Sequence, residues 1–442
     1  MNLFFVLYRA LSVEHSIIKK SVIAIKMKHF FKNNALNLVF YSFKMYHYTR
    51  NIMTRLALLF IYLFSLLFPS KERVAPLSFK EEWSGVVFQV ASALTDPICA
   101  SHTSFKQISV ANGWVDKIFL TYKALSNSLT AIVTAPAGIL LRATAIALQD
   151  EPYLYFPGTA PEKRAERNFS LLSWNVCFVG GGYSITNGGV SPWSQRIDGV
   201  VEAIQTQDAD VVCLYETFDT GSAFELYDRL KEQYAHFYFN IGPKAVGVSS
   251  GIFVASKFPI ENPQFTPFTD AALVGRTKNA EKGVFSFDLK DGENRFARIH
   301  ATHMQHSEEC DSPTREEIEA RDLEMEMILE QIEQQYDHHL ITLLAGDWNL
   351  DDVEYDNSSW KEHFDRGERH FNGEYTWGGD QFCATLEQKT VSKPLNLDHT
   401  ALHKQSRPAT LSTHLIETGY DATVYTKSAL SDHRGLYSVV TF

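Results

Sequence analysis

Eight polar residues in the C-terminal part of the chain combine reactive chemistry with a shared placement: Asn175, Glu216, His303, Asp347, Asn349, Asp398, Asp432 and His433. Each follows closely on a hydrophobic run, as expected where strand ends feed loops into one cleft. Three carboxylates (Glu216, Asp347, Asp432) and two amides (Asn175, Asn349) make an oxygen-rich set. Such a set suits Mg²⁺, which takes one or two carboxylates and keeps several waters. No Cys/His cluster of zinc spacing competes with it. Two histidines beside a site of this kind can supply a general base and a donor to a phosphate oxygen. Singly, each residue has a bland reading as a turn or core residue, and the combination carries the inference.

The elements that must position these residues alternate along residues 169–442. Strands are predicted at Phe169–Trp174, Asp210–Leu214, Gly251–Ser256, Gly283–Leu289, Phe296–Thr302 and Leu340–Ala345. Helical spacing marks Ile197–Gln205 and Phe224–Tyr234. A third helix is predicted from Thr314, which stands in capping-box spacing with Glu317 after Pro313. Its apolar stripe of Ile318, Met325, Ile328, Leu329 and Ile332 runs to about Tyr336. The five cysteines form no CxxC pair, so neither a zinc ribbon nor a disulfide framework is indicated. Cys177 and Cys213 read as small buried thiols, and Cys310, in a polar loop, is the one that could pair or react.

Six short motifs follow one another in this region: S-W-N (173–175), L-Y-E (214–216), T-H (302–303), G-D-W-N (346–349), L-D-H (397–399) and S-D-H (431–433). In this order they resemble the endonuclease/exonuclease/phosphatase superfamily over residues 169–442. The resemblance implies an α/β (α+β) fold, a four-layer sandwich of two mainly antiparallel sheets with helices outside. Within the superfamily, the chain is similar to bacterial neutral sphingomyelinases at E-T-F-D (216–219), S-G-I-F-V-A-S-K-F-P-I (250–260), E-K-G-V-F (281–285), T-H-M-Q-H-S-E-E-C (302–310) and Y-T-W (375–377). It departs from them at Tyr215, where Gln or Asn usually precedes the Glu, and at His399, where a Tyr usually follows the Asp.

What the resemblance implies is a Mg²⁺-dependent phosphodiesterase, with Mn²⁺ or Co²⁺ as substitutes, that converts sphingomyelin to ceramide and phosphocholine. Glu216 and Asn175 would hold the metal, with Asp432 near it. Asp398 would orient His433, the base that takes a proton from the attacking water. Asn349 and His303 would stabilise charge on the phosphoryl oxygens, and Asp347 would position nucleophile or metal. A nuclease or a phosphoinositide phosphatase using the same site is the alternative reading, and a binding protein that has lost turnover is a third.

Charge bears on that choice. The chain carries 41 Lys+Arg against 52 Asp+Glu, a formal net charge of −11. Residues 1–168 hold 19 basic against 10 acidic residues, and residues 169–442 hold 22 against 42. Phosphate neutralisation dominates nucleic-acid affinity, so the acidic part is a poor polyanion binder and no stable nucleic-acid complex is expected. The expected partners are a phospholipid membrane and a small phosphodiester substrate; oligomeric state stays open.

The first third of the chain is read for membranes. Residues 1–55 form a basic segment, and Leu56–Phe68 is a thirteen-residue apolar run. That is shorter than the roughly 20 residues that span a bilayer and suits a signal-peptide core of about 7–15. Translation from Met53 would give a conventional signal, so the first 52 residues can be an over-extended start. A cleaved signal and a membrane anchor are both compatible with the run, which places the protein as membrane-associated or secreted. Residues 69–149 read as a helical membrane-associating region. Within it Leu129–Leu148 has spanning length but contains Pro136, Gly138 and Arg142, and reads as an interfacial or re-entrant segment. Residues 150–168, polar and with two prolines, read as a linker before the catalytic domain at 169–442. No aromatic-rich membrane hairpin is evident in the C-terminal half, which leaves membrane contact to the N-terminal region.

Overall fold

The computed structural model describes residues 79–111, 113–179, 182, 190–310, 312–378, 393–416 and 429–442. The basic segment 1–55, the apolar run 56–68 and Cys383 therefore lie outside the described residues. Two compact units are distinguished: one of Arg73–Val110 with Lys123–Phe442, the other of Met1–Glu72 with Ala111–Tyr122. The described residues of the second unit are little more than the opening turns of one helix.

Two sheets organise the larger unit. The first has eight strands in the order β1-β4-β5-β3-β2-β14-β13-β11. Its strands are β1 (Leu154–Pro157), β2 (Asn168–Asn175), β3 (Val211–Tyr215), β4 (His236–Phe239), β5 (Phe253–Ser256), β11 (Glu368–His370), β13 (Thr410–Leu415) and β14 (Leu436–Thr441). The second has six strands in the order β10-β12-β9-β8-β7-β6. These are β6 (Ile260–Pro267), β7 (Gly283–Asp291), β8 (Asn294–His303), β9 (Ile341–Asp347), β10 (Phe364–Asp365) and β12 (Asp398–His403). Pairing is mainly antiparallel, with parallel pairs at β2/β3, β8/β9 and β11/β13.

Burial explains the layering. Leu171, Cys213, Val254, Phe285, Ile299 and Leu343 form an apolar core from the facing sides of both sheets. The other face of the first sheet gives Leu172, Trp174, Val212 and Leu214 to a second core. There they meet Val200 and Ile204 of α3 (Trp193–Gln207) and Leu226 and Leu230 of α4 (Thr220–Leu230). The outer face of the second sheet packs Leu344 and Ala401 on Met325, Ile328 and Ile332 of α5 (Arg315–Gln334) and on Trp360. Strands buried on both faces carry continuous apolar runs, and only such runs can fill the middle of a four-layer sandwich. The expected sandwich is the observed fold.

Local signals hold where they are strongest. The Thr314 side chain accepts from Glu317 N and the Glu317 side chain accepts from Thr314 N, closing the expected capping box on α5. The expected linker contains a strand instead of being wholly irregular. Leu154–Pro157 pairs antiparallel with His236–Phe239 as the edge of the first sheet, where a proline at the strand end costs no ladder bond. The apolar region before it forms two long helices, α1 (Phe79–Val110) and α2 (Trp114–Leu148). Phe88 of α1 and Ala145 of α2 sit in the same core as Leu154 and Leu172.

Tyr215 accounts for its departure from the family pattern. Its ring is fully buried between the sheets, and its hydroxyl donates to Ala345 O on β9 at 2.9 Å while accepting from Ser173 Oγ at 3.2 Å. One side chain of the first sheet is thereby bonded to the backbone of the second, beside the strand ends that carry Asn175 and Asp347. Tyr215→Phe leaves Ala345 O without this donor and is expected to cost about 1–2 kcal/mol. Urea unfolding should show a lower midpoint at unchanged slope.

Candidate active site

Strand register brings the polar residues together. Asn175 ends β2 opposite Tyr215, so Glu216 emerges from the neighbouring strand. In the second sheet His303 pairs with Asp347 across β8/β9, and Asp398 pairs with Asp347 across β9/β12. Gly346 is needed beside Asp347, because a Cβ there would lie 2.0 Å from Thr302 O. Glu216 (φ 60°) and Asn349 (φ 53°) both hold left-handed backbone, a strained state for residues with a side chain, at the points where chain leaves strand.

Two groups result. In the first, Asn175 Nδ2 donates to Glu216 Oε1 at 3.1 Å and to Asp347 Oδ2 at 2.9 Å. His303 Nε2 lies 3.7 Å from Glu216 Oε1 and 3.6 Å from Asp347 Oδ2, too far to bond either. In the second, His433 Nδ1 is 2.8 Å from Asp398 Oδ2, and His433 Nε2 is 3.8 Å from Asp347 Oδ2. Asp347 is common to both. Asn349 sits behind it, its N–H bonded to Asp347 Oδ1 at 3.0 Å and its amide donating to Met304 O. Asp432 is buried on the loop before β14 and belongs to neither group, though its charge reaches Glu216.

Electrostatics mark the site as one that a cation would relieve. Burial, and then the Asp432 charge, raises the Glu216 carboxyl to about 7. Burial raises Asp398 to about 6 despite its imidazole partner. Burial alone would lower His433, but Asp398 and Asp347 outweigh it and raise the imidazole well above its ordinary value. His303 is held well below the ordinary histidine value, by burial first and then by the Lys282 charge, so its ring is neutral. Its Nδ1 and Asp398 Oδ1 are buried without a hydrogen-bond partner. The ligand atoms of Glu216, His303 and Asp347 lie within 4.8 Å of one another, and those of Asp347, Asp398 and His433 likewise. Crowded carboxylates, a neutral imidazole and orphaned polar atoms fit a divalent ion.

Three residues that the spacing did not single out for roles also build the site. Lys282 is buried and donates to Met304 O at 2.9 Å, and burial pulls its ammonium down to about 8 against the charges of Glu216, Glu324 and Asp347. Arg196 of α3 donates to Val176 O, Cys177 O, Ser191 O and Leu430 O, which clamps the loops after Asn175 and before Asp432. Thr376 accepts from Leu397 N and Asp398 N through its hydroxyl and from Arg434 N through its carbonyl, so it ties the acid to the loop of its histidine. Lys282 and Thr376 fall inside the E-K-G-V-F and Y-T-W segments. Arg196, on a helix face, had no such signal. His399 is buried against Trp348 and bonds Leu350 O, so the Tyr-to-His change at this position faces a helix layer and not the dyad.

Comparison with known proteins bears on this geometry. Among solved structures, beta toxin from Staphylococcus aureus is 19% identical, over 61% of this chain and 99% of that one, with a TM-score of 0.51. A mutant form of it with bound magnesium ions is 18% identical over the same shares, also at 0.51. SmcL is 21% identical over 62% and 99%, at 0.50. At such identities the likeness shows the fold alone. No curated protein matches the chain. The sequence model of the Endonuclease/Exonuclease/phosphatase family, however, matches residues 172–433, which run from the first sheet through His433 and make up about three-fifths of the chain. With the sandwich, the strand-end cluster and this match in agreement, the chain belongs to the Endonuclease/Exonuclease/phosphatase family.

Proposed function

We propose that the chain is a Mg²⁺-dependent phosphodiesterase acting on a phospholipid, with sphingomyelin hydrolysed to ceramide and phosphocholine. The observation that carries the chemistry is the Asp398–His433 pair at 2.8 Å beside the Glu216, His303 and Asp347 group. Glu216 and Asp347, with Asn175 and Asp432 around them, would hold the ion, which supplies positive charge to a phosphoryl oxygen when bound. Asp398 would orient His433 through Nδ1, and Nε2 of the neutral imidazole would take the proton of an attacking water. His303 and Asn349 would stabilise charge on the phosphoryl oxygens, as the family resemblance implies. Lipid specificity is supported by the five sphingomyelinase-like segments and by the acidic balance of residues 169–442, which disfavours a polyanion. An anchor or signal at Leu56–Phe68 supports work at a membrane surface or after secretion.

The test is choline release from sphingomyelin vesicles. Release is expected with Mg²⁺ and expected to vanish in EDTA; release that persists in EDTA defeats the metal reading. Plasmid nicking at low salt without choline release would favour the nuclease alternative.

A further inference from the structure

Helix α2 is built the wrong way round for a helix covered by water. Over residues 123–148 its buried side holds Ala124, Asn127, Ala135, Gly138 and Ala145. Its large apolar residues point outward: Leu129 is 67% exposed, Ile132 71%, Val133 78% and Leu140 68%, with Leu125 on the same stripe. The spacing of Leu125, Leu129, Ile132, Val133, Pro136 and Leu140 puts them on one helical face. The inward small residues serve close approach. A Cβ on Gly138 would lie 2.8 Å from Thr95 Cγ2 and 3.0 Å from Ala91 O of α1. Small residues at the helix contact and large apolar ones outside is the arrangement of helices in lipid, where outward burial of apolar side chains is not lost to water. An exposed apolar strip of this extent on a soluble protein marks an interaction surface.

Three further observations say which partner. Residues 124–141 contain no charged side chain, so a stretch of 18 helical residues, about 27 Å long, presents no charge to a lipid surface. Arg142 ends this stretch with its guanidinium turned inward onto Lys244 O. The hydroxyls of Ser128, Thr130, Thr134 and Thr144 all donate to the carbonyl four residues earlier, so these four groups need no partner outside the helix.

We infer that the outward face of α2 between Leu125 and Leu140 is a bilayer-docking surface that lies in the membrane interface while its small-residue side stays packed on α1. Because the inner side is occupied by α1 and the sandwich, α2 lies on the membrane and does not cross it. This names the partner surface for the proposed lipid hydrolase, but it rests on the helix and not on turnover.

The full chain carrying p-benzoylphenylalanine in place of Val133, or of Leu140, is illuminated on phosphatidylcholine vesicles. The control probe replaces Val353, an isolated apolar residue 63% exposed on α6 (Asp352–Asn357). Lipid adducts are expected at both α2 positions at least tenfold above Val353. Adducts to a second copy of the chain, adducts to residues 1–78, or yields equal to the control would each overturn the inference. Crosslinking needs no hydrolysis, so its failure leaves the catalytic reading standing, and a failed choline assay leaves this one standing.

Discussion

Replacing His433 with alanine is expected to lower turnover of the phosphodiester by about 10²–10⁴-fold with little change in KM. The imidazole is fixed from behind: Nδ1 bonds Asp398 Oδ2 at 2.8 Å, and the backbone beyond it is held by Thr376 O accepting from Arg434 N. Only Nε2 remains for the substrate side. Its nearest carboxylate oxygen, Asp347 Oδ2 at 3.8 Å, is too distant to hold it. Alanine removes the base and deprives the buried Asp398 Oδ2 of its imidazole partner, so a structural cost accompanies the catalytic one. Asp398→Asn separates the two. It keeps the shape but removes the charge that favours a proton on Nδ1, and it is expected to lose about a hundredfold or more. Rates are read as choline release at saturating sphingomyelin, with thermal unfolding as the control for folding. If His433→Ala keeps activity within tenfold, the dyad is not the base.

Metal binding should depend on pH with a predictable sign. Without a cation the Glu216 carboxyl titrates near 7, because burial and Asp432 disfavour its charge. Its unfolded value is the ordinary one, so between about 4.5 and 7 the folded state holds more protons than the unfolded state. Stability of the metal-free protein therefore falls as pH rises through that window. A divalent ion reverses this, since it binds the deprotonated carboxylate and competes with the proton. The expected result is a rise in Tm on adding Mg²⁺ that is large at pH 8 and small at pH 5.5. Affinity measured by calorimetry should fall by about tenfold per unit below pH 7. Glu216→Gln should abolish most of the Mg²⁺ shift, a loss of at least about a hundredfold in affinity. A Mg²⁺-induced shift of equal size in Glu216→Gln and the parent would remove Glu216 from the metal site.

The capping box at Thr314, the strand runs into Asn175, His303 and Asp347, and the acidic excess of residues 169–442 were legible because each is local. A cap is made within four residues, a strand alternates or stays apolar within eight, and charge is additive along a chain. The six ordered motifs extended this to the sandwich and to the eight polar residues. Tertiary structure decided the rest. Asp347 faces two groups because β9 lies between β8 and β12, a neighbour relation no spacing reveals. Arg196 clamps loops centred on positions about 20 and 234 residues away, so nothing near it in sequence announces its role. Strand β1 forms in a polar, proline-containing stretch because β4 offers it an edge. For α2, composition alone named an apolar segment, but which of its faces met protein was set by where α1 could approach most closely. That approach selected the glycine and alanines for the inside and left the leucines, isoleucine and valine outside.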